Sequence, residues 1–407
     1  MIARIPYAKA TRFLTDTADS PEGFRPSVTI AEVGVTKVSG RKVTRPLVGF
    51  GAHVDRTYAE MIAKAELAER LVLFSMPLAN SSSGLLRDSP RRVDPRTLLQ
   101  LSSARLRHFR LAPFSSSTPY CWVPAREVVS ASSAEVVADM CYAVLPSFCK
   151  QRLAWANSSG MAAHSSFELA SKAALLKLFE RDALMVTWMA RHTPPHVPTA
   201  RLPSTLRRCM AQISALGYTC VSLDLTCRKV PVAAALVYRD RVPALIVTVA
   251  ARFSLREALE AAWKEMEVEV FWRLQHATND SIPMKTVTLH EHHAQFYDQP
   301  GNLPIASFLW QHPKKTTSSL DRVVFSGQGT FDIQACAKCL GIDKLYTVDY
   351  GDVFGLCVAR VLSPNLVPLL FGWNQFPLTH SARGSARLSG DVRSAWPNAP
   401  IPPHPFC

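Results

Sequence analysis

The chain has 407 residues, 48% of them apolar, which is enough to bury a large core and excludes a mainly disordered protein. Its formal charge of +14 favours an anionic partner, but the Lys and Arg are dispersed and no zinc-finger spacing or aromatic RNA-binding signature occurs, so nucleic acid is not expected. Neither a run of about eighteen apolar residues nor an apolar N-terminal segment occurs, so neither a spanning helix nor a signal peptide is expected. The ten cysteines lie mostly in apolar patterns, as expected of reduced thiols in a bacterial cytoplasm.

In chain order, residues 1–26 are polar and poorly specified. Alternation from Ser27, and again before Gly49, predicts strands leading into a glycine loop, Gly49-Phe50-Gly51. Asp55 is the expected N-cap of a helix running to about Phe74, and residues 79–96 have loop chemistry. PYCWVPA (119–125) reads as a strand, and VVADMCYAVL (136–145) as either a helix or a strand. The Asn157-Ser158-Ser159-Gly160 turn enters a second helix, capped by Ser165 or Ser166 and stopped by Pro194-Pro195. An amphipathic helix closed by Gly217 follows, then strands at 219–226 and 231–238, so helix and strand alternate. RVPALIVTVAA leads into a third helix, capped by Ser254. Residues 278–320 lack periodicity and suggest an excursion. A short helix closed by Gly341 and two strands come next, and the stiff, proline-rich 396–407 ends the chain.

The chain repeats itself. Shifted by 111 positions without a gap, residues 49–77 overlie 160–188. His53 falls on His164, Ala59 on Ala170, Ala63 on Ala174, Leu67 on Leu178, and Glu69-Arg70 on Glu180-Arg181. Ser254, Ala258 and Glu265 hold the same mutual spacing as Asp55, Ala59 and Glu66. Glu66 and Glu69, three apart, share a helix face and repel. Three such helices can bring acids at matching depths to one cationic centre, because hard cations such as Mg²⁺ require carboxylate oxygens.

Other candidates have plainer readings. Cys336-Ala-Lys-Cys339 is one isolated CxxC, with both cysteines expected on the buried face of a short helix. His290-Glu-His-His293 lacks the register of a zinc helix and reads as a solvated helix start. Trp188, Trp263 and Trp272 fall on apolar helical faces and are assigned to the core.

The ordered set of motifs resembles the YcaO family. It comprises G-x-G with A-x6-E-x-x-E-R in the first repeat and S-x-G-x-A-A with E-R-D in the second. To these it adds the Leu223–Val232 strand turn, the A-x6-E helix at 258–265 and the ending Pro-His-Pro-Phe. The resemblance covers about residues 27–407 and is nearest the branch that forms thiazolines and oxazolines in ribosomal peptides of the microcin type. It implies one α/β domain with pseudo-duplicated sheet-and-helix halves around an acidic ATP and Mg²⁺ site. The implied activity is attack of a Cys, Ser or Thr side chain on a neighbouring peptide amide, phosphorylation of the resulting oxygen, and loss of phosphate. By motif position Glu66, Glu69, Glu180 and Glu265 would face metal. Arg70, Arg181, Ser158, Ser159 and Ser165 would lie near the nucleotide, and His404, Pro405 and Cys407 would reach the catalytic centre as a returning tail. The implied partners are a ribosomal precursor peptide, a separate E1-like leader-binding protein for which 407 residues leave no room, and a flavin dehydrogenase in the same complex.

This chain departs from that pattern at Lys177, where the family has a glutamate, and at Phe50, Val268 and Cys407. An ammonium at 177 changes the local charge by two units, which either displaces a metal ion or supplies a point charge for phosphate. Two further readings therefore stand beside azoline formation: amide activation toward thioamide or amidine products, and a catalytically weakened scaffold subunit.

Overall fold

The structure is a computed structural model that describes residues 10–13, 22–38, 41–75, 81–99, 101, 103–149, 151–311, 314–325, 331–373 and 401–406. Cys407 and residues 396–400 of the expected tail lie outside these. The first sheet is antiparallel and holds β1 (Ala10–Phe13), β2 (Thr29–Val38) and β3 (Arg41–His53), followed by helix α1 (Arg56–Leu73). Then come β4 (Ser82–Gly84), the short helices α2 (Pro95–Leu98) and α3 (Ser103–His108), β5 (Tyr120–Glu127), β6 (Ser132–Val137), β7 (Met161–His164) and α4 (Phe167–Met189). Helix α5 (Ser204–Ser214) precedes a meander of β8 (Thr219–Asp224), β9 (Val232–Tyr238) and β10 (Leu245–Ala251), which leads into α6 (Leu255–His276). After α7 (His290–Asp298), α8 (Leu303–Ala306) and α9 (Ile333–Leu340), the hairpin β11 (Tyr346–Val353) and β12 (Leu356–Leu362) inserts into the second sheet. That sheet has the order β4-β5-β11-β12-β7, with β6 on β5.

The internal repeat is a strand running into a helix, and it occurs three times: β3 into α1, β7 into α4, and β10 into α6. The helices start in register. Asp55 accepts from the Tyr58 N–H, Ser166 from Leu169 and Ser254 from Glu257, so each repeat has a capping side chain at the same position. Behind each cap the same small residues face a sheet: Ala59, Ala170 and Ala258, then Ala63, Ala174 and Ala262, all fully buried. Alanine lets the helices lie close to their strands.

The first unit takes this closeness furthest, and it corrects the glycine-loop expectation. Gly49-Phe50-Gly51 lies inside β3, with Val33 opposite Gly49 and Ala31 opposite Gly51 on the face turned to α1. A Cβ on Gly49 would collide with the Ala63 carbonyl and the Leu67 backbone, and one on Gly51 with the Ala59 carbonyl. The G-x-G motif is therefore a packing device, with helix backbone resting on strand backbone. Gly51→Ala is expected to destabilise by about 1–3 kcal/mol, as overpacking does. Thermal unfolding checks it, and an unchanged midpoint would show that the contact is slack.

Residues 278–320 are not an excursion. They carry α7 and α8, and Phe296, Tyr297, Ala306, Phe308 and Leu309 join the core formed around α4 and β8–β10. Periodicity failed there because the segment consists of short helical pieces broken by Pro283, Pro300 and Pro304. The poorly specified N-terminal segment is partly tied down. The Glu22 carboxylate accepts from Arg239 at 2.8 and 2.9 Å and from Arg241 at 2.9 Å.

Candidate functional site

From about the third turn onward, α1, α4 and α6 each present charge. Glu66, Glu69 and Arg70 come from α1, Lys177, Glu180 and Arg181 from α4, and Glu265 and Glu269 from α6. Each acidic side chain but one has a cation at hand. Glu66 accepts from Arg70 at 2.8 Å and from the Phe50 N–H, on edge strand β3, at 2.5 Å. Glu69 is 9% exposed and meets Lys177 Nζ at 2.8 Å, while its other oxygen accepts the Ala163 N–H at 3.3 Å. Glu180 lies 3.5 Å from Arg181, and Glu269 lies 3.5 Å from Arg273. Glu265 has no ion pair within 4.0 Å among the described residues.

Glu265 is consequently the electrostatic weak point. Desolvation first, then repulsion from Glu180 and Glu269, push its carboxyl up to about 7, against the pull of Arg181 and Lys177. The side chain is open to water, yet it is hemmed in by protein and charge, as befits the floor of a bowl. Burial likewise raises the Glu69 carboxyl, with Lys177 opposing. Arg181 Nε is buried with no hydrogen-bond partner among the described residues. No group of three or more His, Cys, Asp or Glu stands in metal-ligating geometry among the described residues, because Glu66, Glu69 and Glu180 each lean on a neighbouring cation.

Of the expected serines, Ser159 is a structural tie. It is buried, and its Oγ accepts the Leu369 N–H at 3.0 Å. Asn157 clamps the same loop, its amide donating to the Leu369 carbonyl at 2.6 Å. Ser165 is exposed, with Oγ 3.0 Å from His164 Nδ1, and Ser158 contributes its carbonyl to the Met161 N–H. None of the three makes a hydrogen bond to the carboxylates of the bowl in the structure.

The tail does return. Residues Ile401–Phe406 are buried, and three side chains hold three consecutive carbonyls: Trp188 Nε1 donates to Pro402 at 2.9 Å, Tyr297 to Pro403 at 2.7 Å and His293 Nδ1 to His404 at 2.7 Å. A proline-rich segment has few N–H groups, so a protein must grip it by its carbonyls. The Gly372 N–H donates to His293 Nε2 at 2.8 Å, which places the proton on Nδ1 and makes the ring neutral. His404 is fully buried, packs its ring in a tilted contact with His293 at 4.2 Å between centroids, and responds electrostatically to Arg181, so the tail ends beside the bowl.

The reading of 290–293 as a solvated helix start holds for the exposed His290 and Glu291 and fails for His293, whose burial required knowing where the tail goes. His290 is open to water but answers to Glu269, Arg181 and Arg70, so it belongs to the bowl wall and was missed. Trp188 and Trp263 are core as expected, but Trp272 is half-buried and packs at 5.2 Å on Phe50, between α6 and β3. In the CxxC, Cys336 is buried and Cys339 exposed, so the two do not share a buried face.

Burial holds the His293 ring down to about 3, well below its ordinary 6.5. The sign follows: a group whose proton affinity is depressed by folding contributes stability in full above pH 6.5, lost as pH falls toward 3. Stability is expected to drop by about 1.4 kcal/mol per pH unit in that window, with the similarly depressed His404 adding in the same direction. Thermal unfolding across that range for wild type and His293→Gln tests this. Equal slopes would show that His293 does not carry the effect.

A family described as YcaO cyclodehydratase, ATP- and Mg²⁺-binding, matches residues 48–367. No curated protein matches the chain. Among solved structures, a heterocyclase in complex with substrate and cofactor is similar with a TM-score of 0.69 at 18% identity, over 98% of this chain and 54% of that one. YcaO from Methanopyrus kandleri bound with AMPPCP and Mg²⁺ has a TM-score of 0.63 at 15% identity, over 89% of this chain and 86% of that one. A chain of the E. coli microcin synthetase McbBCD complex has 0.59 at 12% identity, over 89% of each. The chain thus spans about half the length of the first of these, and at such identities the likeness is one of fold.

Proposed function

Because the chain belongs to the YcaO family, we propose that it is an ATP-dependent cyclodehydratase that converts Cys, Ser or Thr residues of a ribosomal precursor peptide to thiazolines or oxazolines. The observation that carries this reading is Glu265. Its carboxyl is driven to about 7 by desolvation first and by the neighbouring carboxylates of Glu180 and Glu269 second, and a cation placed there would relieve both. The donor set fits the nucleotide and metal: oxygen ligands from Glu265 and Glu180, with Arg181 and Arg70 as cations beside them. Arg181 also has a buried Nε without a hydrogen-bond partner among the described residues. Bound ATP supplies the phosphoryl group that makes the oxygen of the attacked amide a leaving group.

The chain's own residues do the rest. Arg181 and Arg70 stand where negative charge would shift during transfer, and fixed cations of this kind need no rearrangement to stabilise it. His290, whose proton affinity is lowered by desolvation among the surrounding groups although its side chain meets water, is a neutral base at the bowl wall. The tail, gripped through its carbonyls, closes the side of the bowl next to Arg181. We further propose that the precursor's leader is held by a separate E1-like partner, with a flavin dehydrogenase completing the complex. What supports this is that the chain resembles a chain of a multi-protein synthetase.

The test is direct. The purified chain with its partner, precursor and Mg-ATP should lower the peptide's mass by one water per modified residue and release phosphate in step. An unchanged mass with no phosphate would leave only the scaffold reading.

A further inference from the structure

Lys177, Glu66 and Glu265 occupy one position in the three repeated helices, yet two are acids and the third is a cation. Lys177 Nζ sits 2.8 Å from Glu69 Oε2, and with the Ala163 N–H on the other oxygen Glu69 has its charge met entirely from within the chain. That bond uses one of the three donors of the ammonium. The Lys177 side chain keeps 28% exposure, and its charge is felt at Glu265, so it stands on the bowl side of the buried Glu69 rather than behind it. A divalent ion at Glu69 would have to share that carboxylate with a charge of its own sign. Glu265, by contrast, has no such occupant.

We infer that Lys177 is a built-in cation standing in for a divalent ion at Glu69, so that the site takes up nucleotide with one divalent ion only, on the Glu180–Glu265 side. This rests on the nucleotide-site reading above and narrows it. The ammonium, being fixed to α4, cannot be chelated away or exchanged. Its two remaining donors are left for phosphate oxygens, which a point charge binds without demanding a particular geometry.

The experiment counts metal rather than product. The full chain is titrated with Mn²⁺ in the presence of a non-hydrolysable ATP analogue, and bound Mn²⁺ is counted by electron paramagnetic resonance. Wild type should hold one Mn²⁺ per bound nucleotide, and Glu265→Gln should lose it. Lys177→Glu, and Lys177→Met, which keeps the stem without the charge, should each hold two. A count of two in wild type overturns the inference on its own, whether or not the variants fold, and so does a count that stays at one in a folded Lys177 variant. If wild type binds no nucleotide at all, the cyclodehydratase reading falls and takes this inference with it.

Discussion

Glu265→Gln will lower turnover by about 100- to 1,000-fold, the range seen when a single electrostatic contact to a transition state is removed, without destabilising the protein. The two halves of this expectation come from the same observation. Glu265 has no ion pair among the described residues, and Glu180 and Glu269 repel it, so neutralising it removes a conflict from the folded state. A midpoint of unfolding that holds or rises, together with lost turnover, is the pattern of a residue kept for function at a cost in stability. The contrast is Glu69→Gln, which strands the Lys177 ammonium beside a buried amide and should lower both stability and activity. Glu265→Gln with full turnover would remove Glu265 from the machinery. A large fall in its unfolding midpoint would instead make it a structural residue.

Truncation after Pro400 carries the second large effect. It removes Ile401 and Phe406, which are 5% and 2% exposed, and the three carbonyls held by Trp188, Tyr297 and His293. Burying two such side chains contributes about 1.5–3 kcal/mol each, and each lost hydrogen bond leaves a buried donor unsatisfied at about 1–3 kcal/mol. The truncated chain is therefore expected to unfold at markedly lower temperature and to lose turnover, because the wall of the bowl beside Arg181 goes with it. Phe406→Ala isolates the packing part at about 3–5 kcal/mol. Tyr297→Phe removes a single donor and should cost about 1 kcal/mol. A synthetic peptide of residues 401–407 added to the truncated chain should restore part of the activity. Truncation that leaves turnover and unfolding unchanged would mean that the tail merely lies in its groove.

These expectations separate what can be read along a chain from what must be read across it. The three capped helices were legible because a cap and an alanine pair recur at fixed offsets, and such local patterns follow from helix geometry alone: Asp55, Ser166 and Ser254 are the caps. The convergence of Glu66, Glu69, Glu180 and Glu265 on one region followed from the same repeat. Lys177 was visible as an exception, but its partner was not, since Glu69 lies 108 positions away on another helix.

Other features were closed to the sequence for the same reason. Gly49 and Gly51 looked like a flexible loop because a glycine that admits a helix backbone and one that admits a turn have the same side chain, and only the position of α1 tells them apart. His293 read as solvated because its burial depends on a tail 111 positions later arriving with its carbonyls outward. The hydrogen bond from the Leu369 N–H to Ser159 was hidden likewise, since the two residues lie 210 positions apart. By itself, then, the sequence determined the family, the repeat, the helix starts and the set of charges. Tertiary structure decided which charges are already paired and which, like Glu265, are left wanting a cation, because ion pairing depends on distances of a few ångströms between elements that the chain brings together only on folding.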